Sequence, residues 1–248
     1  MIKGYTGVPG AGKSLHSIKI IIEYLQAGKN VIANFPIKVN QVYKNKGHYY
    51  YLKNADISVN YLKAFANNMH KPEQENQTLI IIDEASVKFN CRTFGDSDRM
   101  DFLQFFPQHR KYGFEVVLIA QNLRQIDRQI RDLVELEVIH RKLNNFSLWQ
   151  ILPFSLFVAI ERNNTIKAKN GHNFFTYNKK IGNLYDTYYD FTIQKDNASI
   201  LKINQDVIKK TEIKKEPVIK KRFFSRFRSV PLGLGVPNGS DGTKKKGF

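Results

Sequence analysis

Gly7-Val8-Pro9-Gly10-Ala11-Gly12-Lys13-Ser14 (GVPGAGKS) follows directly on a short extended run, residues 2–6, and leads into a stretch of helical periodicity. It matches the pattern GxxxxGK[ST] in full. Its glycines let the backbone curl until successive N–H groups point into one concavity, which suits an anion. A helix starting near Lys13 adds the positive end of its dipole. In this pattern the lysine reaches the β- and γ-phosphates and the hydroxyl after it ligates Mg²⁺. Gly7, Val8, Pro9, Gly10, Ala11, Gly12, Lys13 and Ser14 are therefore expected to bind ATP, with Ser14 on the metal.

The flanks support that reading. Over residues 15–26 the apolar positions Ile18, Ile21, Ile22 and Leu25 recur at helical spacing, and Gly28 follows as a stop. Residues 29–35 (KNVIANF) read as a second strand closed by Pro36. Strand, loop, helix and strand in this order lay down parallel sheet. Residues 79–83 (LIIID) form a continuous apolar run with a charged end, as a strand buried on both faces requires. Residues 115–120 (EVVLIA), ending at Gln121, and residues 136–141 read as further strands. Helices are expected at 98–112, stopped by Gly113, at 122–133, and before residue 70 with a cap near Asn60. The tyrosine-rich HYYYL piece (48–52) stays unassigned.

Asp83 ends its strand where a Walker B acid belongs and would hold Mg²⁺ through water. Glu84, one residue on, would orient and deprotonate the attacking water, so the pair favours hydrolysis over transfer to a small acceptor. One extra strand, residues 29–35, lies between the loop strand and the Asp83 strand, which indicates the RecA-like (ASCE) group of P-loop NTPases. Gln121 would then sit beside the γ-phosphate as a polar sensor. Motors of this group complete each site with an arginine from a neighbouring subunit. Arg110 is preferred over Arg124, Arg128 and Arg131 because it ends the helix leading into the Gln121 strand.

Three regions follow: an ATPase core over residues 1–143, a β-rich extension over 144–195 packed on it, and a basic flexible tail over 196–248. In the extension FSLWQIL, LFVAIE and the run around 169–177 are expected as antiparallel strands at the sheet edge. The fold class is thus α/β, a mostly parallel sheet with an antiparallel edge. Contents of 42% hydrophobic and 25% charged residues are those of an ordinary soluble globular protein. A net charge of +17 is not, and it implies a polyanionic partner, nucleic acid or an anionic membrane surface. Residues 195–248 hold 14 Lys or Arg against 5 Asp or Glu, about half of that excess. There the run 209–229 sets basic residues beside Phe223, Phe224 and Phe227, a combination suited to phosphate contact with stacking or membrane insertion. Cys91 has no partner cysteine, so no disulfide framework exists. The six histidines show no metal-ligand spacing. The longest apolar stretch, residues 146–160, is broken by Gln150, Pro153 and Ser155 and is shorter than the ~20 residues that span a bilayer.

Taken together, GVPGAGKS, ANFPI, LIIIDEA, the HRKYG turn and IAQNLRQIDRQIRDL resemble the Zot (zonular occludens toxin-like) family over residues 1–140. These are filamentous-phage assembly ATPases related to the FtsK/HerA motors. The resemblance implies that residues 7–14 bind ATP, that Asp83 and Glu84 hydrolyse it, that Gln121 senses it, and that Arg110 acts in trans in a ring, expected to be a hexamer. It implies a role in extruding a single-stranded DNA virion through the host's inner membrane. The expected partners are coat protein, other assembly proteins and single-stranded DNA, and the expected place is the host cytoplasm, at the cytoplasmic face of that membrane. Family members carry a membrane-spanning helix after the ATPase domain; none is found here, so attachment through the tail or through a partner is expected. Two other functions stay open: a DNA translocase or helicase for replication or conjugal transfer, and a nucleotide-gated DNA-binding scaffold.

The tail reading yields a direct test. Ending the chain at about residue 195 should weaken binding to anionic vesicles or single-stranded DNA, with a shallower salt dependence. Equal binding at low salt excludes the tail as the contact.

Overall fold

All five side chains of Thr78–Ile82 are buried. Alternation along this strand sends Leu79 and Ile81 into one apolar cluster and Ile80 and Ile82 into another, on the opposite face. A strand with water on neither side must be central, and the rest of the chain is arranged around it. The computed structural model describes residues 1–90, 97–145 and 153–185.

Eight strands form one sheet: β1 (Ile2–Thr6), β2 (Asn30–Ala33), β3 (Tyr49–Tyr51), β4 (Thr78–Ile82), β5 (Phe114–Ile119), β6 (Leu136–Lys142), β7 (Leu156–Asn163) and β8 (Lys169–Thr176). Their spatial order is β3-β2-β4-β5-β1-β6-β7-β8. The first six pair in parallel, and β7 and β8 continue the sheet antiparallel beyond β6. Helix α1 (Lys13–Gln26) covers one face, where Ile18, Ile21 and Leu25 meet Val31, Leu79, Ile81 and Val117. On the other face lie α2 (Val59–Met69), α4 (Ser97–Phe105) and α5 (Arg128–Asp132), which bring Leu62, Phe65, Phe102, Phe105 and Ile130 against Ile80, Ile82, Val116 and Leu118. Two further short helices lie among the described residues, α3 (Ala85–Lys88) and α6 (Lys179–Gly182). Among the described residues no helix is long and apolar enough to cross a membrane.

Several boundaries differ from the sequence reading. The strand lying between β1 and β4 in space is β5; the 29–35 strand pairs on the far side of β4. HYYYL supplies β3, an edge strand that neither period marks. The helix expected over 98–112 ends at Phe105 and tightens to a 3₁₀ turn, Phe106–Gln108, because Pro107 has no N–H to donate and its ring clashes with the carbonyl four residues back. The 122–133 helix is split into a 3₁₀ turn, Leu123–Gln125, and α5, whose cap is Asp127 accepting from Gln129 and Ile130. Helix α2 is capped by Ser58, not Asn60, through a 3.2 Å bond from the Tyr61 N–H. The FSLWQIL stretch and the 196–248 tail lie outside the described residues.

Beneath the glycine loop two histidines meet: His16 Nδ1 of α1 lies 2.8 Å from His140 Nε2 of β6. Tyr5 stacks on His16, and His140 Nδ1 faces the Thr6 carbonyl. Burial, with the neighbouring imidazole and lysines adding to it, pushes His16 down to about 3; burial likewise holds His140 at about 4. Both are neutral in the fold. Below the ordinary histidine value of 6.5, the unfolded chain takes up protons that the folded chain refuses. Stability is therefore full above that pH and falls as the pH drops toward 4, by about 1.4 kcal/mol per pH unit for each imidazole. Urea unfolding at about pH 7.5 and about pH 5 should show this loss, and His140→Gln should flatten it. An unchanged slope in that variant would remove the pair as its source.

Candidate nucleotide and metal site

Parallel pairing puts the carboxyl ends of β1, β5 and β4 on one edge, and each ends in a residue singled out by its sequence. β1 runs into the glycine loop. Gly7 has φ 145° and Gly12 φ 95°, backbone that favours glycine. A Cβ on Gly7 would stand 2.6 Å from the His140 carbonyl oxygen, and one on Gly12 would stand 2.8 Å from the Phe157 ring. Both glycines are thus required by space as well as by angle. Gly12 is also the N-cap of α1, with no side chain on the helix's first N–H groups. Those donors face the loop, where the dipole end favours an anion. Lys13 folds back over the loop, its Nζ donating to the Gly7 carbonyl at 2.8 Å and the Val8 carbonyl at 3.3 Å. Partial burial lowers its pKa, opposed by the charges of Asp83 and Glu84, so the ammonium sits in the field of both carboxylates.

Asp83, just past β4, is only 7% exposed. Its Oδ1 accepts from the Glu84 N–H at 2.9 Å, and its Oδ2 accepts from the Tyr185 hydroxyl at 3.4 Å. Burial raises its pKa above the carboxylate value and the Glu84 charge adds to this, while the Glu84 N–H, Lys13 and Tyr185 oppose the rise. A buried carboxylate with so few donors is one that a cation would stabilise. The oxygen donors Ser14 and Asp83 suit a hard ion such as Mg²⁺, and the Asp83 carboxylate already holds the Tyr185 phenol. The residues present therefore fit a metal-bound triphosphate. Glu84 adopts the left-handed region, φ 48° and ψ 46°, a conformation that costs a non-glycine residue on the order of 1 kcal/mol. Such strain holds its side chain apart from the run of β4.

Gln121 lies two residues past β5 with its side chain exposed, and its carbonyl accepts the Gly7 N–H at 3.2 Å, so it anchors the start of the loop. Arg110 is not brought to this edge. It pairs with Glu135 at 2.6 Å, and Glu135 also accepts the Ile2 N–H, at the amino edge of the sheet. The five residues of β1, about 16 Å, separate it from the loop of its own chain. Arg128 and Arg131 lie nearest Asp132, and Arg124 is exposed in the turn after Gln121.

Two site residues escaped the sequence reading. Asn34, 2% exposed, clamps the backbone of Asp83: its Nδ2 donates to the Asp83 carbonyl at 2.7 Å, and its Oδ1 accepts the Asp83 N–H at 2.7 Å. Its Nδ2 also reaches Asn54 Oδ1 at 2.8 Å. A polar residue ending the apolar NVIA run was the available signal. Tyr185 had none, being 102 residues from Asp83. Replacing the clamp, Asn34→Ala, leaves a buried N–H and C=O without partners and should cost roughly 1–3 kcal/mol in urea unfolding while weakening metal-nucleotide retention. An unmoved midpoint would show the clamp to be idle.

The comparisons with known proteins fall on this same part of the chain. The family model for zonular occludens toxin (Zot) matches residues 1–194. The "Gene 1 protein" of Enterobacteria phage fd is 26% identical over 148 residues, 58% of this chain and 42% of that protein. The Gene 1 protein of Salmonella phage IKe is likewise 26% identical over 148 residues, 58% of this chain and 40% of that protein. The chain thus spans less than half the length of these relatives. Among solved structures, an ATPase domain superposes with a TM-score of 0.50 at 9% identity, covering 75% of this chain and 84% of that one. The N-terminal domain of zonular occludens toxin from Neisseria meningitidis superposes with a TM-score of 0.49 at 19% identity, over 75% and 98%. The fold is that of the P-loop ATPases, and with a family model matched over most of its length, the chain belongs to the zonular occludens toxin (Zot) family.

Proposed function

We propose that the chain is an ATP-hydrolysing motor that powers assembly and extrusion of a filamentous single-stranded DNA phage through the host's inner membrane. The observation that carries this reading is the buried Asp83 carboxylate on the same sheet edge as a glycine loop whose N–H groups face an anion site, with the Lys13 ammonium in its field. Loop residues 7–14 bind the triphosphate through backbone N–H groups. Lys13 leaves the Gly7 and Val8 carbonyls for the β- and γ-phosphate oxygens. Ser14 and Asp83 would hold Mg²⁺, which would supply positive charge against the phosphate oxygens. Glu84, turned out of the strand by its left-handed backbone, accepts the proton of the attacking water. Gln121, tied to the loop through Gly7, reads the γ-phosphate. Arg110 stands at the opposite edge, so it can serve only a neighbouring copy in a ring, where it would exchange Glu135 for phosphate. Coat and other assembly proteins, single-stranded DNA and the membrane face are the partners this role requires. The family assignment and the charge of +17 support them.

Glu84→Gln should keep ATP bound while hydrolysis falls about 10²–10⁴-fold, the usual worth of a general base. In infected cells the same variant should stop particle release and leave replication of phage DNA untouched. Unchanged turnover would remove Glu84 from the mechanism. A block in replication instead of release would favour the translocase reading.

A further inference from the structure

Tyr185 sits where a metal-binding P-loop site has least room for it. Its hydroxyl donates to Asp83 Oδ2 at 3.4 Å. Asp83 is one of the two side chains that the reading above gives to the divalent cation. Mg²⁺ demands ligand oxygens at about 2.0–2.1 Å in octahedral geometry and keeps waters in its remaining positions. A phenol hydrogen-bonded to one of those ligands competes with the ion for the same carboxylate oxygen. A doubly charged ion attracts a buried carboxylate far more strongly than a hydroxyl at 3.4 Å does, so the phenol is the group that yields.

The residues that hold Tyr185 form a strap, pinned to the core by the buried Leu184 and free to yield only at its Tyr185 end. Asn178 caps α6 through the Lys180 N–H; the Lys38 N–H donates to the Leu184 carbonyl at 3.0 Å; and Ile37 and Tyr185 form an isolated antiparallel bridge. The ring of Phe35 meets that of Tyr185 edge-on, with centroids 5.3 Å apart. Every one of these contacts to residues 35–38 is on the segment that directly follows Asn34, the clamp on Asp83. The strap then continues in sequence toward the basic tail.

We infer that the Tyr185 hydroxyl and the divalent cation of a bound nucleotide compete for Asp83, so that a seated cation displaces the Tyr185 end of the 178–185 strap from the mouth of the site. Tyr185 thereby sets the cation dependence of nucleotide binding. This rests on the nucleotide-site reading above.

The test uses the full chain carrying Glu84→Gln, so that nucleotide is held and not consumed. Retention of a fluorescent ATP analogue is titrated with Mg²⁺ in the presence and absence of Tyr185→Phe, and hydrogen exchange of residues 178–185 is followed in parallel. Tyr185→Phe keeps the ring against Phe35 and should lower the half-saturating Mg²⁺ by about three- to tenfold, the scale of one long hydrogen bond. Analogue binding in EDTA should not change. Exchange in the strap should quicken with Mg²⁺ and analogue together and stay level with analogue in EDTA. An unmoved Mg²⁺ midpoint overturns the competition. A raised midpoint overturns it too, since the phenol would then be supporting Asp83. Exchange that slows or ignores the metal overturns displacement of the strap's Tyr185 end. A chain that holds no analogue at any Mg²⁺ concentration overturns the nucleotide reading itself, a failure distinct from the others.

Discussion

The hydrogen bonding of β5 between β1 and β4 is the constraint on which the site depends. Parallel strands lie about 4.8 Å apart, so one intervening strand sets the Asp83 backbone about 10 Å from the end of β1. That gap, between a cradle of backbone N–H groups and a carboxylate, is wide enough for a phosphate and a cation. With β4 directly beside β1, Asp83 would crowd the loop; with two strands between, it would stand too far from Ser14 to share a ligand with it. Everything else reinforces this spacing. The Gln121 carbonyl ties the loop to β5, and Asn34 fixes the Asp83 backbone from β2. The two faces of the sheet are sealed by separate apolar clusters, so none of the three strands can shift alone.

What the sequence disclosed follows from which contacts are local. The glycine loop is contiguous, and its φ demands and helix are written into eight neighbouring residues. Strands β4 and β5 are buried on both faces, so they appear as unbroken apolar runs. Edge strand β3 has no such mark, because its three tyrosines serve different neighbours: Tyr50 packs on Phe65, while the Tyr49 hydroxyl donates to the Phe35 carbonyl. Pro107 stands inside the 98–112 segment, and its missing N–H ends the helix short of Gly113. Asn34 and Tyr185 act on Asp83 from 49 and 102 residues away, distances over which no spacing rule operates. Arg110, expected to act on a neighbouring copy, stands at the amino edge with Glu135, and no sequence pattern marks that pairing.

The histidine pair belongs to the same economy of space. A β6 residue beneath the loop must be compact, flat and able to accept the close approach of Gly7, whose absent Cβ leaves 2.6 Å to the His140 carbonyl. His140 satisfies one nitrogen on Thr6 and the other on His16, so two buried imidazoles answer each other with no charge in the fold.

Phe157 carries a consequence for how the molecule can be divided. Its ring lies against Gly12, backed by Phe175 at 5.4 Å in a stacked pair, and both belong to the antiparallel strands. The floor of the nucleotide cradle is therefore built by the segment that looks, from composition, like an appendage. A shortened protein ending near residue 143 would keep every residue of the glycine loop and lose the surface it rests on. The smallest unit of this chain that keeps the glycine loop supported thus extends at least through Phe175.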